Sequence, residues 1–154
     1  MDKLPEGQAA RAAEHAAELF GRGFNCAESA VIAVLTAASH DAVEAQRVAT
    51  AFGGGLARRG GVCGALSGSA MALSTLLGRS DPDDGEGKDR VYAAVTELFA
   101  RVQAAHGAVD CRQLTGLDLT DPASSGAFKA RVHANVCVPV LRLAVTTAAE
   151  LLNR

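Results

Sequence analysis

Four cysteines, Cys26, Cys63, Cys111 and Cys137, are the residues of this chain best suited to chemistry. They stand singly, 37, 48 and 26 positions apart. No C-x-x-C pair occurs, so neither a thioredoxin-type motif nor a zinc ribbon is written locally, and no C-x-x-C-H run offers haem attachment. Four isolated thiols still converge if four elements carry them to one place. As thiolates they would then suit an iron–sulfur cluster or a tetrahedral zinc ion. Without metal, Cys63 would attack a disulfide and another cysteine would resolve it.

The most unusual setting belongs to Cys63. The stretch from Gly53 to Gly68 reads GGGLARRGGVCGALSG, with glycine at 53, 54, 55, 60, 61, 64 and 68. Glycine allows positive φ and close backbone approach. Gly60, Gly61 and Gly64 flank the thiol, so they are expected to let a cluster or substrate come near and to donate N–H groups to sulfur. Gly53–Gly55 reads instead as a helix stop and a flexible connector. The loop has the composition of an anion cradle, with Arg58 and Arg59 assisting. It is not a Walker A loop, because no GK[ST] follows, nor a dinucleotide fingerprint, because no strand precedes it.

The elements that must position these thiols read as helices. Residues 7–20 carry Ala9, Ala13, Ala16 and Phe20 at helical spacing, and Gly21 and Gly23 supply a stop. Asn25 and Glu28 have the spacing of a capping box for a helix over 26–39. That helix is apolar on most sides and should be central. Asp41 and Glu44 repeat the pattern for 42–52. A helix over 64–77 has Gly64, Gly68 and Ala72 along one strip, which invites a close neighbour. After the acidic loop SDPDDGEG, Val91, Val95, Leu98, Phe99 and Val102 mark an amphipathic helix that stops at Gly107. Asp110 is placed to cap a short turn, and 116–125 is irregular. A further helix through Phe128 and Val132 is expected to end near Val138, because the residue before Pro139 resists helical geometry. Pro139 then suits the first turn of a last helix over 139–152. With no strand alternation and no repeat, the expectation is an all-α single-domain bundle of about six or seven helices, spanning 1–154.

On this map each cysteine falls at or just before a helix start. Helix starts present unpaired N–H groups and partial positive charge, and both favour thiolate over thiol. A cysteine serving only as a small hydrophobe would be expected on an apolar face in mid-helix. The pattern therefore points to functional thiols. His133, four residues before Cys137, and His106, five before Cys111, are candidate ligands or proton donors, with solvated helix faces the plainer reading. Arg112 stands beside Cys111, where it would act as surface charge or lower the thiol pKa. Ser67 and Ser69 lack the histidine and carboxylate of a serine nucleophile.

Composition excludes other classes. The chain has 154 residues, 15 Lys plus Arg against 17 Asp plus Glu, and a net charge of −2. No basic face suggests nucleic acid. The apolar runs read as too short and interrupted to span a bilayer, and the N-terminus does not resemble a signal peptide. The expectation is a cytoplasmic protein, where separated cysteines serve as metal ligands or redox groups rather than permanent cross-links. Alanine-rich surfaces suit helix-to-helix association, so a homodimer is an expectation; the sequence names no redox partner.

CGALSG at Cys63–Gly68, NCAES around Cys26, CRQLTG from Cys111 and VCVP around Cys137 together resemble the redox-active family known as C_GCAxxG_C_C. The Gly53–Gly55 triplet and the Leu114–Thr115–Gly116 step are also similar, and the likeness covers roughly residues 20–145. The resemblance implies a redox role. A related domain occurs in split-Soret cytochromes, where an iron–sulfur site accompanies it. It therefore implies Cys26, Cys63, Cys111 and Cys137 as ligands of an iron–sulfur cluster for electron transfer or redox sensing, with Gly61 and Gly64 beside it. Cys63-based thiol–disulfide exchange and a structural zinc site in a protein-interaction module are the alternatives.

Overall fold

A computed structural model describes residues 3–154. Helices α1 (Gln8–Gly21), α2 (Cys26–Ala37), α3 (Val43–Ala49), α4 (Gly64–Leu77), α5 (Gly85–His106) and α6 (Cys111–Thr115) follow in order. A 3₁₀ turn, Thr50–Phe52, extends α3. Helix α7 (Ser124–Ala127) runs through a π-helical stretch, Phe128–Cys137, into α8 (Val138–Leu151). Counting that last rod once, the described residues form seven helices. The described residues contain no strand, only one isolated bridge between Val62 and Asp110.

Helix α2 is the hub. Its apolar residues Ala30, Val31, Ala33, Val34 and Leu35 are fully buried, and α1, α3, α4 and α8 all pack on it. The capping box that starts it is complete: Asn25 Oδ1 accepts from Glu28 N–H at 2.9 Å, and Glu28 Oε2 accepts from Asn25 N–H at 2.8 Å. The small strip of α4 does what its spacing implies. A β-carbon on Gly68 would lie 2.9 Å from Ala27 Cα, and Ala72 is fully buried. Without those side chains, α2 and α4 close to backbone contact, and that approach places Cys26 beside Cys63.

The chain departs from expectation at Pro139. No break occurs at Val138, which stays helical at φ −63° and ψ −47°. Proline in an α-helix clashes with the carbonyl four residues back and donates no hydrogen bond. Here the preceding ten residues are wound with the wider i→i+5 bonding of a π-helix, which accommodates the ring. Cys137 therefore lies within a continuous helix, not at a helix start. The same continuity alters the reading of apolar runs. Ser124–Leu151, 28 residues, is long and apolar enough by length and composition to cross a membrane. In this fold it packs on α1, α4, α5 and α2.

Candidate functional site

Cys26 is the first residue of α2, Cys63 is the N-cap of α4, and Cys111 is the first residue of α6. Three of the four thiols thus stand at helix starts. Tertiary contacts bring all four into one electrostatic neighbourhood. The Cys63 S–H donates to the Cys26 sulfur, and charge on Cys26 acts on Cys63, Cys111 and Cys137.

The link between Cys63 and Cys111 is the short bridge. Cys63 N–H donates to Val109 O at 2.9 Å, Cys111 N–H to Gly61 O at 2.7 Å and Arg112 N–H to Gly60 O at 3.2 Å. Val62 faces Asp110 across it. Side chains alternate along extended backbone, so Cys63 and Cys111 share the opposite face.

The thiols are not equivalent. Cys26 is lowered from 9.0 to about 7 by the Cys63 hydrogen bond, against burial, with help from the backbone N–H groups of Gly54, Cys26 and Ala27. Cys63 is raised well above 9.0, because it donates to Cys26 and is buried. Burial and the Cys26 charge push Cys111 up to about 11 and Cys137 up to about 12, although Thr115 offsets part of the rise at Cys111. The expectation that every helix start would favour thiolate therefore holds at Cys26 alone. At Cys63 the hydrogen bond to Cys26 and burial outweigh the Ala65 N–H, and at Cys111 and Cys137 burial dominates. Arg112 does not act on Cys111; it pairs with Asp118 at 3.2 Å.

The glycine roles are redistributed. Gly54, taken from sequence as part of a connector, is the residue whose N–H meets the Cys26 sulfur. Gly60 and Gly61 N–H groups instead donate to Gly54 O and Gly55 O, at 3.1 and 2.9 Å. Gly61 anchors Cys111 through its carbonyl and offers no N–H to sulfur. Gly64 leaves space: a β-carbon there would overlap the Cys26 sulfur and stand 3.0 Å from Phe52 O. The segment from Gly54 to Arg58 is a left-handed turn, with φ between 48° and 69° at all five residues, three of them not glycine. Nothing in the local sequence announces left-handed Leu56, Ala57 and Arg58.

His133 is half-buried and is not among the groups acting on Cys137. It stacks on Phe20 with ring centroids 4.1 Å apart and meets Phe128 edge-on at 5.9 Å. Among the described residues, no three His, Cys, Asp or Glu side chains are drawn together as a single metal ion requires.

A family model described as "Putative redox-active protein (C_GCAxxG_C_C)" matches residues 24–151, which include all four cysteines. No curated protein and no solved structure matches the chain.

Proposed function

Since the chain belongs to the redox-active family C_GCAxxG_C_C, we propose that it is a thiol–disulfide redox protein in which Cys26 attacks and Cys63 resolves. The contact between these two sulfurs carries the reading. One thiol is held as proton donor, while three backbone N–H groups stabilise negative charge on the other. This exchanges the roles expected from sequence, which made Cys63 the attacking thiolate.

The Cys26 thiolate attacks one sulfur of a partner disulfide. A Cys26–partner disulfide forms and the partner's second sulfur leaves as thiolate, which takes the Cys63 proton. The Cys63 thiolate then attacks Cys26 sulfur and expels the first partner sulfur. The partner disulfide is reduced to two thiols, in their protonated or thiolate forms, and Cys26 and Cys63 are oxidised to a disulfide. Once Cys26 is bonded to the partner its charge is gone. The hydrogen bond and charge of Cys26 that hold Cys63 protonated go with it, leaving burial and the Cys111 charge as the opposing influences. Resolution is thereby timed to follow attack.

Peptide mapping after mild oxidation tests this. A Cys26–Cys63 disulfide that is reversible with thiol and lost in Cys26→Ser is expected. Oxidation that leaves both thiols free would overturn it.

A second reading is favoured by a separate observation. The main influences on all four thiols are one another, burial and backbone N–H groups; none is a cation. An iron–sulfur cluster would supply that positive charge and one-electron chemistry, with Cys26, Cys63, Cys111 and Cys137 as ligands. Cluster ligands on separate irons sit farther apart than ligands of one ion, so thiols not gathered for a single metal still suit it. Stoichiometric iron and sulfide in protein isolated without oxygen, lost in Cys111→Ser and Cys137→Ser, would establish this reading. Metal-free protein with the Cys26–Cys63 couple would establish the first.

A further inference from the structure

The left-handed turn that serves Cys26 also faces solvent. Gly54 gives its N–H to the sulfur, and Arg58 lies directly against Gly54: a β-carbon on Gly54 would be 2.7 Å from Arg58 Cα and 3.1 Å from its Cγ. The Arg58 side chain thus starts one residue away from the reacting thiol. Arg58 and Arg59 are both exposed, and neither makes an ion pair among the described residues. Leu56 and Val62 on the same segment are 50% and 39% exposed. Of the acidic groups nearby, Asp118 pairs with Arg112 and Glu28 bonds Asn25 and Thr50, while Asp110, across the bridge from Val62, leaves one carboxylate against these two cations.

Left-handed geometry is strained for a residue that is not glycine, because Cβ crowds the following carbonyl oxygen. Leu56 and Arg58 occupy it where glycine would be unstrained, and both side chains are exposed on the turn whose Gly54 N–H meets the thiol. Such strain marks functional segments. We infer that Leu56, Arg58 and Arg59 select the disulfide that Cys26 attacks, favouring one flanked by carboxylates and an apolar group. This rests on the thiol–disulfide reading. Two unpaired cations raise the local concentration of anionic partners, and unlike apolar contact this effect is screened by salt.

The test compares three dialkyl disulfides: dithiodipropionate, which is anionic, 2-hydroxyethyl disulfide, which is neutral, and cystamine, which is cationic. Rates of Cys26 mixed-disulfide formation are measured at low salt and at about 1 M salt. The anionic-to-cationic rate ratio at low salt is expected to fall about tenfold or more in the double variant Arg58→Gln, Arg59→Gln. The same ratio should collapse in the native chain at high salt and survive in Arg58→Lys, Arg59→Lys. The rate with the neutral disulfide should change by much less than the anionic rate in every variant. An unchanged ratio with normal neutral reactivity would overturn the selectivity alone. Absence of reaction with all three disulfides would overturn the thiol–disulfide reading as well.

Discussion

Gly64 and Cys26 share one volume: the space a β-carbon on Gly64 would need is filled by the Cys26 sulfur. The same β-carbon would stand 3.1 Å from Ala27 N, one of the N–H groups that stabilise the thiolate. Gly64→Ala must therefore push the sulfur away or part α2 from α4. Overpacking of this kind costs about 1–3 kcal/mol. Thermal melting should show that loss, and alkylation of Cys26 at pH 7 should slow at the same time. Full retention of both would show that the two helices separate freely.

Alkylation against pH should divide the thiols. Cys26, lowered to about 7, is a thiolate above that value, so its rate should rise through pH 7 and level off before pH 9. Cys111 and Cys137, pushed up to about 11 and about 12, stay protonated and slow at pH 9. Stability follows the same signs. The Cys26 thiolate favours the fold above its ordinary 9.0, and that contribution is lost as pH falls through 7. The raised thiols favour the fold below 9.0, and theirs is lost as pH rises towards 11 and 12. Mass spectrometry of the alkylated peptides checks the order; a Cys26 midpoint near 9 would contradict it.

The left-handed turn offers a gain in stability. Ala57 sits at φ 48° and is exposed, so Ala57→Gly removes strain without removing a contact that packs the core. A stabilisation of about 1 kcal/mol is expected in urea denaturation. Gly54→Ala should do the reverse, because it adds strain at φ 65° and a β-carbon against Arg58. Equal effects from both substitutions would refute the turn's geometry.

Ser29 on α2 and Ser69 on α4 are fully buried, and neither hydroxyl has a hydrogen-bond partner. An unmade buried hydrogen bond costs about 1–3 kcal/mol. Ser69→Ala should accordingly leave stability unchanged or raise it by about 1 kcal/mol. A marked loss, measured by the same denaturation, would mean that the hydroxyl has a partner after all.

Much of the helical framework is legible along the chain because its causes are local. Asn25 and Glu28 are three residues apart, and so are the two halves of the box that starts α2. The four-residue steps of Gly64, Gly68 and Ala72 lie on one side of one helix, so a close neighbour follows from the strip alone. The error at Pro139 has the opposite character. Proline is a local stop signal, but packing of the long rod on α1, α2, α4 and α5 keeps it helical through a change of winding.

What the amino-acid order determined unaided is a helical bundle, because caps, glycine stops and apolar spacing act within a few residues; of the four sulfurs it set at helix starts, the fold keeps three there. Only the folded chain decided how those sulfurs differ. Cys26 becomes the acidic one chiefly because Cys63 arrives from another helix as proton donor, and with help from Gly54, 28 residues away, which turns left-handed and points an N–H at it. Cys111 joins them through a bridge between residues nearly fifty apart. Burial, bridge and charge each depend on distances in space, and sequence separation sets none of them.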